Sequence, residues 1–233
     1  MINWDNIVAS VKPAYKNKSP FFPQHPCRCL IIGPSGTGKT SDLLTILHNS
    51  CFHKVNIYSK TLDEDKYEYL IGQQKGKEDL LKRQGIYEAL VHYSTEIQDI
   101  VPLGSLDKEY QHAYVFDDIC MESKKEQEKY IGTMWIRCRK YNAAAFYLSQ
   151  SYFKIPKVIR DNANFVVLKT LADHRELEII HRIYAPEYNK CEFYEKYREA
   201  VASYNGHGSF IIDSQIQHRS LKLRANYTSV FQH

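Results

Sequence analysis

No two cysteines of this 233-residue chain stand at CxxC spacing, and no cysteine–histidine cluster has the spacing of a zinc site. Cys27, Cys29, Cys51, Cys120, Cys138 and Cys191 are therefore expected to be free thiols. Several fall in apolar runs, where a thiol behaves as a small hydrophobe, and this usage fits a reducing, intracellular compartment. No segment approaches the ~20 apolar residues that a membrane helix needs. The stretch from Met1 to Pro13 lacks the apolar core of a signal peptide. Repeats and low-complexity tracts are missing too. A net charge of +4 is too even a balance for a dedicated nucleic-acid module, although it permits a polyanionic partner. What is present is the composition of a globule, 43% hydrophobic and 25% charged, at a length that suits one α/β domain. The eighteen tyrosines are scattered and read as amphipathic packing residues.

Strand and helix patterns alternate along the chain. Residues 1–26 form an irregular leader, with Pro13, Pro20, Pro23 and Pro26 close together, and residues 27–233 one domain. Strands are expected at Cys27–Ile32, Lys54–Ser59, Ile86–Tyr93, Ala113–Ile119, Ala143–Ser149 and Phe165–Lys169, with edge strands at Ser209–Asp213 and Ser220–Leu223. Helices are expected at Lys39–Asn49, over 63–84 with breaks near Gly72 and Gly76, at Asp173–Ile183 and at Glu187–Ser203. Ser123 and Glu126 have the capping-box spacing. Behind them Ile131, Met134, Trp135 and Cys138 make one apolar helix face. This order predicts an α/β fold, a mostly parallel central sheet with helices on both faces.

Between the first strand and the first helix stands Gly33-Pro34-Ser35-Gly36-Thr37-Gly38-Lys39-Thr40, followed by Ser41. The pattern G-x-x-x-x-G-K-[ST] in that context is a phosphate-binding loop. Its glycines let backbone N–H groups curl inward at a helix N-terminus, where the dipole favours phosphate. Lys39 is placed to reach the β- and γ-phosphates of ATP, and the Thr40 hydroxyl to ligate Mg²⁺.

Tyr114–Asp118 is an apolar strand ending in two acids, at the carboxyl edge where α/β sites lie. Asp117 would hold Mg²⁺ through water, and Asp118 would orient or deprotonate an attacking water. The long spacing from Thr40 leaves room for two intervening strands, so this strand is expected beside the first. The subclass follows by exclusion. Asn189-Lys190-Cys191-Glu192 lacks the aspartate of a guanine reader, and Leu148-Ser149-Gln150-Ser151 is not a transporter signature. A nucleoside or polynucleotide kinase, the alternative reading, has no need of a second acid that polarises water.

Gln150 ends a further strand and is placed to sense the γ-phosphate. Arg137 and Arg139 flank the apolar helix face before that strand. Either could serve as an arginine finger in a neighbouring copy, Arg139 for preference, or simply cap the helix end. Arg160 is a further candidate.

The run Arg139-Lys140-Tyr141-Asn142, then Tyr147-Leu148-Ser149-Gln150-Ser151-Tyr152-Phe153, then Ile155-Pro156-Lys157-Val158-Ile159-Arg160-Asp161-Asn162, resembles the poxvirus-type DNA-packaging ATPases. These belong to the HerA–FtsK group of ring motors, found in large DNA viruses, virophages and Polinton-like elements. The resemblance covers roughly residues 27–170. It implies a RecA-like P-loop fold, Gln150 as sensor, and an arginine acting across a subunit interface in a homo-oligomeric ring. It also implies ATP hydrolysis that drives double-stranded DNA into a capsid within an infected cell, with capsid or portal-type proteins as partners. The second acid is Asp where such motors more usually carry Glu. Lys154, Lys157 and Arg160, with Tyr152 and Phe153, form the expected grip on the DNA backbone, with no base reading. Lys75–Arg83 is a weaker candidate for the same contact.

Overall fold

Strand β1 (Arg28–Ile32) alternates its side chains between two cores, as the period of two in an extended chain demands. Leu30 and Ile32 enter one, Cys29 and Ile31 the other. A strand buried on both faces belongs in the middle of a sheet covered on both sides, and that is where the computed structural model puts it. The structure describes residues 19, 21–216, 218–227 and 229–231. Sequence expectations for Met1–Pro13 and for Pro20 lie outside these residues.

Among the described residues nine strands form one sheet. The others are β2 (Lys54–Ser59), β3 (Val91–Ser94), β4 (His112–Asp117), β5 (Ala143–Ser149), β6 (Phe165–Leu168), β7 (Phe210–Asp213), β8 (Leu223–Ala225) and β9 (Ser229–Val230). Their spatial order is β3-β2-β4-β5-β1-β6-β7-β8-β9. The first six pair in parallel, so their carboxyl ends share one edge. The last three are added antiparallel.

One expectation is overturned here. The strand that ends at Asp117 does not lie beside β1; it pairs with β2 and β5. β5 takes the place between, its seven residues all buried as a strand covered on both faces requires.

Helices α1 (Lys39–His48) and α2 (Asp65–Arg83) cover one face through Leu43, Ile46, Tyr67 and Leu70. On the opposite face the chain runs through α3 (Lys124–Gln127), α4 (Thr133–Arg137), α5 (Lys157–Arg160), α6 (His174–Tyr184) and α7 (Lys190–Gly206), with the short α8 (Arg219–Lys222) before β8. The expected stripe holds: Ile131, Met134, Trp135 and Cys138 are all buried there. The capping box also forms, Ser123 accepting from the Glu126 amide and the Glu126 carboxylate accepting from the Ser123 amide. A π turn, Glu128–Gly132, joins α3 to α4.

Helix α2 is not broken at Gly72 and Gly76. A side chain at either place would meet open space, so each glycine costs only its intrinsic ~1 kcal/mol. Tyr67, Leu70 and Gln74 anchor the buried side. Strand β3 starts at Val91 rather than Ile86, because residues 86–90 carry no regular structure. Helix α7 starts at Lys190 instead of Glu187, where the Asn189 side chain accepts from the Cys191 amide and caps it.

Candidate nucleotide site

The phosphate loop forms where β1 ends. Its first residue is tied to the neighbouring strand, the Gly33 amide donating to the Ser149 carbonyl at 3.0 Å. Gly33 is required by close approach: a methyl group there would stand 2.5 Å from Lys169 Cβ and 2.9 Å from Thr37 Oγ1. Gly38 is required by conformation, with φ at 95°, as the residue that turns the chain into α1. Replacing Gly33 by alanine is expected to cost about 1–3 kcal/mol through overpacking, which for a chain this long is about 2–12 °C of melting temperature. An unchanged thermal melt would show that Lys169 moves aside freely.

Within the loop, the Thr37 hydroxyl and the Lys39 ammonium both donate to the Pro34 carbonyl, at 2.8 and 3.0 Å. Ser35, Gly36, Gly38, Lys39, Thr40 and Ser41 face a cavity of about 440 Å³ at the carboxyl edge of the sheet. Gly33, Pro34 and Thr37 shape the loop behind it.

Asp117, Asp118 and Gln150 face the same cavity. Asp117 is buried and accepts a 2.5 Å hydrogen bond from the Tyr67 hydroxyl. Burial pushes its carboxyl above the usual carboxylate range, opposed by that hydrogen bond and by the Lys39 charge. Burial in turn holds the Lys39 amine below its ordinary value, opposed by Asp117, Asp118 and Glu64. Asp118 sits in the left-handed region at φ 54°, ψ 28°, uncommon for a residue with a side chain. The Cys120 thiol donates to its carboxylate at 3.6 Å. Gln150 is exposed, one residue past the end of β5.

The Thr40 hydroxyl and the Asp117 carboxylate line the same cavity and are the groups that could hold a divalent cation there. Hard oxygen ligands of this kind, few in number beside a phosphate loop, suit Mg²⁺. Among the described residues no group of three His, Cys, Asp or Glu side chains forms a separate metal cluster.

The arginines are not in this cavity. Arg139 is exposed and precedes β5, close enough to Arg28 at the start of β1 for the two charges to repel. It stands at the opposite edge of the sheet, about 20 Å away by the length of β5 at ~3.3 Å per residue. Arg137 is also exposed there, beside Tyr141. Arg160 is half-buried with its guanidinium 4.7 Å from the Tyr152 ring centre. Tyr152 itself, expected among the DNA-facing residues, is fully buried against Tyr184 in the core. An aromatic at that position serves packing. Phe153, Lys154 and Lys157 are exposed, Lys157 paired with Asp161 at 2.6 Å.

Thr61, Glu64, Lys66, Cys120 and His207 line the cavity without having been anticipated. The first three follow β2, and the general preference for sites at carboxyl strand ends would have found them. Lys169 carries a comparable signal, a charge at the end of an apolar strand. It is buried, with Nζ 3.0 Å from Asp42 Oδ2 and further bonds to the His207 carbonyl at 2.6 Å and to Ser209 Oγ at 2.9 Å. His207 gave no signal, since nothing local marks it.

The sequence family described as Poxvirus A32 protein matches residues 16–190. Among solved structures, the genome packaging NTPase B204 from Sulfolobus turreted icosahedral virus 2 in complex with AMP superposes with a TM-score of 0.55 at 13% identity, covering 83% of this chain and 95% of that one. The same protein in complex with AMPPCP gives 0.52 at 10% identity, covering 83% and 95%. B204 described as the DNA-packaging ATPase from Sulfolobus turreted icosahedral virus gives 0.52 at 13%, covering 84% and 96%. At such identities the likeness is one of fold. No curated protein matches the sequence. No helix among the described residues is long and apolar enough to cross a membrane.

Proposed function

This chain belongs to the poxvirus A32 protein family, viral DNA-packaging ATPases, and we propose that it hydrolyses ATP at the cavity described above to move double-stranded DNA into a capsid. The observation that carries the reading is the convergence of Lys39, Thr40, Asp117, Asp118 and Gln150 on one cavity from three separate strand ends. Residues 27–233 work as one domain and residues 1–26 as its leader.

The loop amides of residues 35–40 and the Lys39 ammonium hold the β- and γ-phosphates. Thr40 and Asp117 would hold magnesium, Asp117 through water, and the ion would neutralise charge on the phosphate oxygens. Asp118 orients the attacking water and takes its proton as the bond from the γ-phosphorus to ADP breaks. Its left-handed backbone ends the strand alternation directly after Asp117, and the two adjacent acids line one cavity. Gln150 hydrogen-bonds the water or the γ-phosphate and transmits its loss.

The transmission path is short. The Ser149 hydroxyl donates to the Ser151 carbonyl at 2.8 Å, and the Ser151 hydroxyl donates to Glu176, a buried carboxylate on α6. The Phe153 amide bonds to both Ser151 Oγ and Glu176. The exposed Lys154 and Lys157 follow, placed to grip DNA phosphates without reading bases. Arg139 is too far from its own cavity to act there, so it acts on that of a neighbouring copy, and the working form is a ring. Arg160 is a weaker candidate for the same role because Tyr152 already engages it. The protein acts in infected cells, alongside capsid or portal-type proteins.

The test is phosphate release by the purified chain with and without a DNA duplex. Release that rises with duplex supports the motor, and release recovered on mixing inactive Lys39→Ala and Arg139→Ala chains supports an arginine that acts on a neighbouring copy. Transfer of phosphate to a nucleoside or to a polynucleotide end, in place of water, would establish the kinase alternative instead.

A further inference from the structure

Along the carboxyl edge the functional groups follow the sheet order: Asp117 after β4, Gln150 after β5, the phosphate loop after β1, Lys169 after β6, and His207 before β7. Asp117 and Gln150 mark the γ-phosphate side under the nucleotide reading, on which this inference rests. The rest of the nucleotide then runs to the other side of the loop. There His207 closes the same cavity.

The segment carrying His207 is built against local preference. Ser203 leaves the helix at ψ 161°, and Tyr204, Asn205 and Gly206 follow with φ of 51°, 58° and 85°. Two consecutive left-handed residues with side chains are costly and persist only when their surroundings hold them. Here they are held from three sides. The Gly208 amide donates to the Ser203 carbonyl at 2.9 Å, and no side chain fits at Gly208, where it would meet the Ala200 carbonyl. Asn226 donates to Ser203 Oγ at 3.1 Å and accepts from the Ser209 amide at 2.9 Å. Lys169 bonds the His207 carbonyl while its stem lies against Gly33, which fixes the turn to the phosphate loop. Yet the rings gain no burial from this. His207 is exposed, and Tyr204 is 68% exposed.

We propose that the turn Tyr204–His207 is the nucleobase platform, the His207 ring taking one face of the purine and Tyr204 bounding its outer edge. Every base presents a face that an aromatic ring can stack on, and a strained turn that sets the His207 ring in the cavity of the phosphate loop, with the exposed Tyr204 three residues before it, is suited to that ligand. The Lys169 contact is to backbone, so side-chain changes at His207 leave the anchor in place.

The test compares two ligands on the full chain, ATP and inorganic tripolyphosphate, which lacks the base. His207→Ala is expected to weaken ATP binding about tenfold, the size of one lost stack, and Tyr204→Ala with His207→Ala to weaken it further. Tripolyphosphate binding stays unchanged in each, and His207→Phe retains ATP affinity. Unchanged ATP affinity in the double variant overturns the platform, as does an equal loss of both ligands, which would mean the turn only props the loop. Photolabelling with 8-azido-ATP is expected to mark the peptide holding Tyr204 and His207; a label confined to another peptide overturns it. A wild-type chain that binds neither ligand would instead remove the nucleotide reading beneath.

Discussion

Replacing Lys39 by alanine is expected to lower phosphate release by a factor on the order of 10²–10³, the usual effect of deleting one preorganised group that stabilises transition-state charge. Stability should not fall with it. The Lys39 ammonium makes one hydrogen bond, to a Pro34 carbonyl that Thr37 also serves, so its removal orphans no acceptor. Burial already holds its amine below the ordinary lysine value, despite three acids nearby. A folded-state value below the unfolded one means the charged form is held at a cost. The variant is therefore expected to melt at the same temperature as the wild type or slightly higher, the pattern of a group kept for function. Parallel steady-state kinetics and thermal melts check this. Retained turnover would remove Lys39, and with it the phosphate loop, from the chemistry. Lost turnover with a much lower melt would make the effect merely structural.

The site was legible in the sequence wherever a function is written in consecutive residues. The phosphate loop, the acids after β4 and Gln150 after β5 each announce themselves by a strand that stops at a polar group, and the structure puts all of them in one cavity. Position in the sheet was less legible. β4 and β5 are both apolar and fully buried, so their sequences alone do not rank which lies beside β1. Tyr152 shows the same limit at one residue. Beside Phe153 and Lys154 it reads as part of an exposed basic loop, but its ring fills a hole against Tyr184. The loop remains, with one ring fewer. Lys169 is marked by its place at the end of an apolar strand, but its partners are not, because the partnership spans 167 residues between Asp42 and Ser209.

That distant partnership gives the antiparallel strands a purpose in the site. β6 and β7 meet side by side, and where β6 ends Lys169 touches the phosphate loop, α1 through Asp42, and the approach to β7 through Ser209 and His207. Asp42 accepts from the Ser209 hydroxyl at 2.9 Å as well. The carboxyl-terminal strands thus brace the element that binds phosphate. A second buried pair, Arg224 with Asp213 at 3.0 Å, locks β8 to β7 with no exposure of either side chain.

Lys169→Met is accordingly expected to be the most destabilising single change in the site. Removing one member of a buried pair strands the other, at about 3–5 kcal/mol, which here is roughly 6–20 °C of melting temperature. The loss should depend on pH in a definite sense. Burial already raises the Asp42 carboxyl above its usual range, with Lys169 the main opposing influence. Without that lysine the carboxyl rises further and takes a proton sooner than stand as a bare charge. A group whose folded-state value lies above its unfolded one contributes most at low pH, and its contribution is lost as pH rises through the folded value. The variant should therefore lie nearer to the wild type at about pH 5 than at about pH 8. Adding Asp42→Leu should recover much of the stability, since an apolar pair replaces an ionic one at little net cost, while Ser209 loses only an acceptor. Melts of the three proteins at both pH values decide the matter. A Lys169→Met deficit that is independent of pH, or a double variant no better than the single, would show that the bonds of the Lys169 ammonium to the His207 carbonyl and Ser209, rather than its pairing with Asp42, hold the loop.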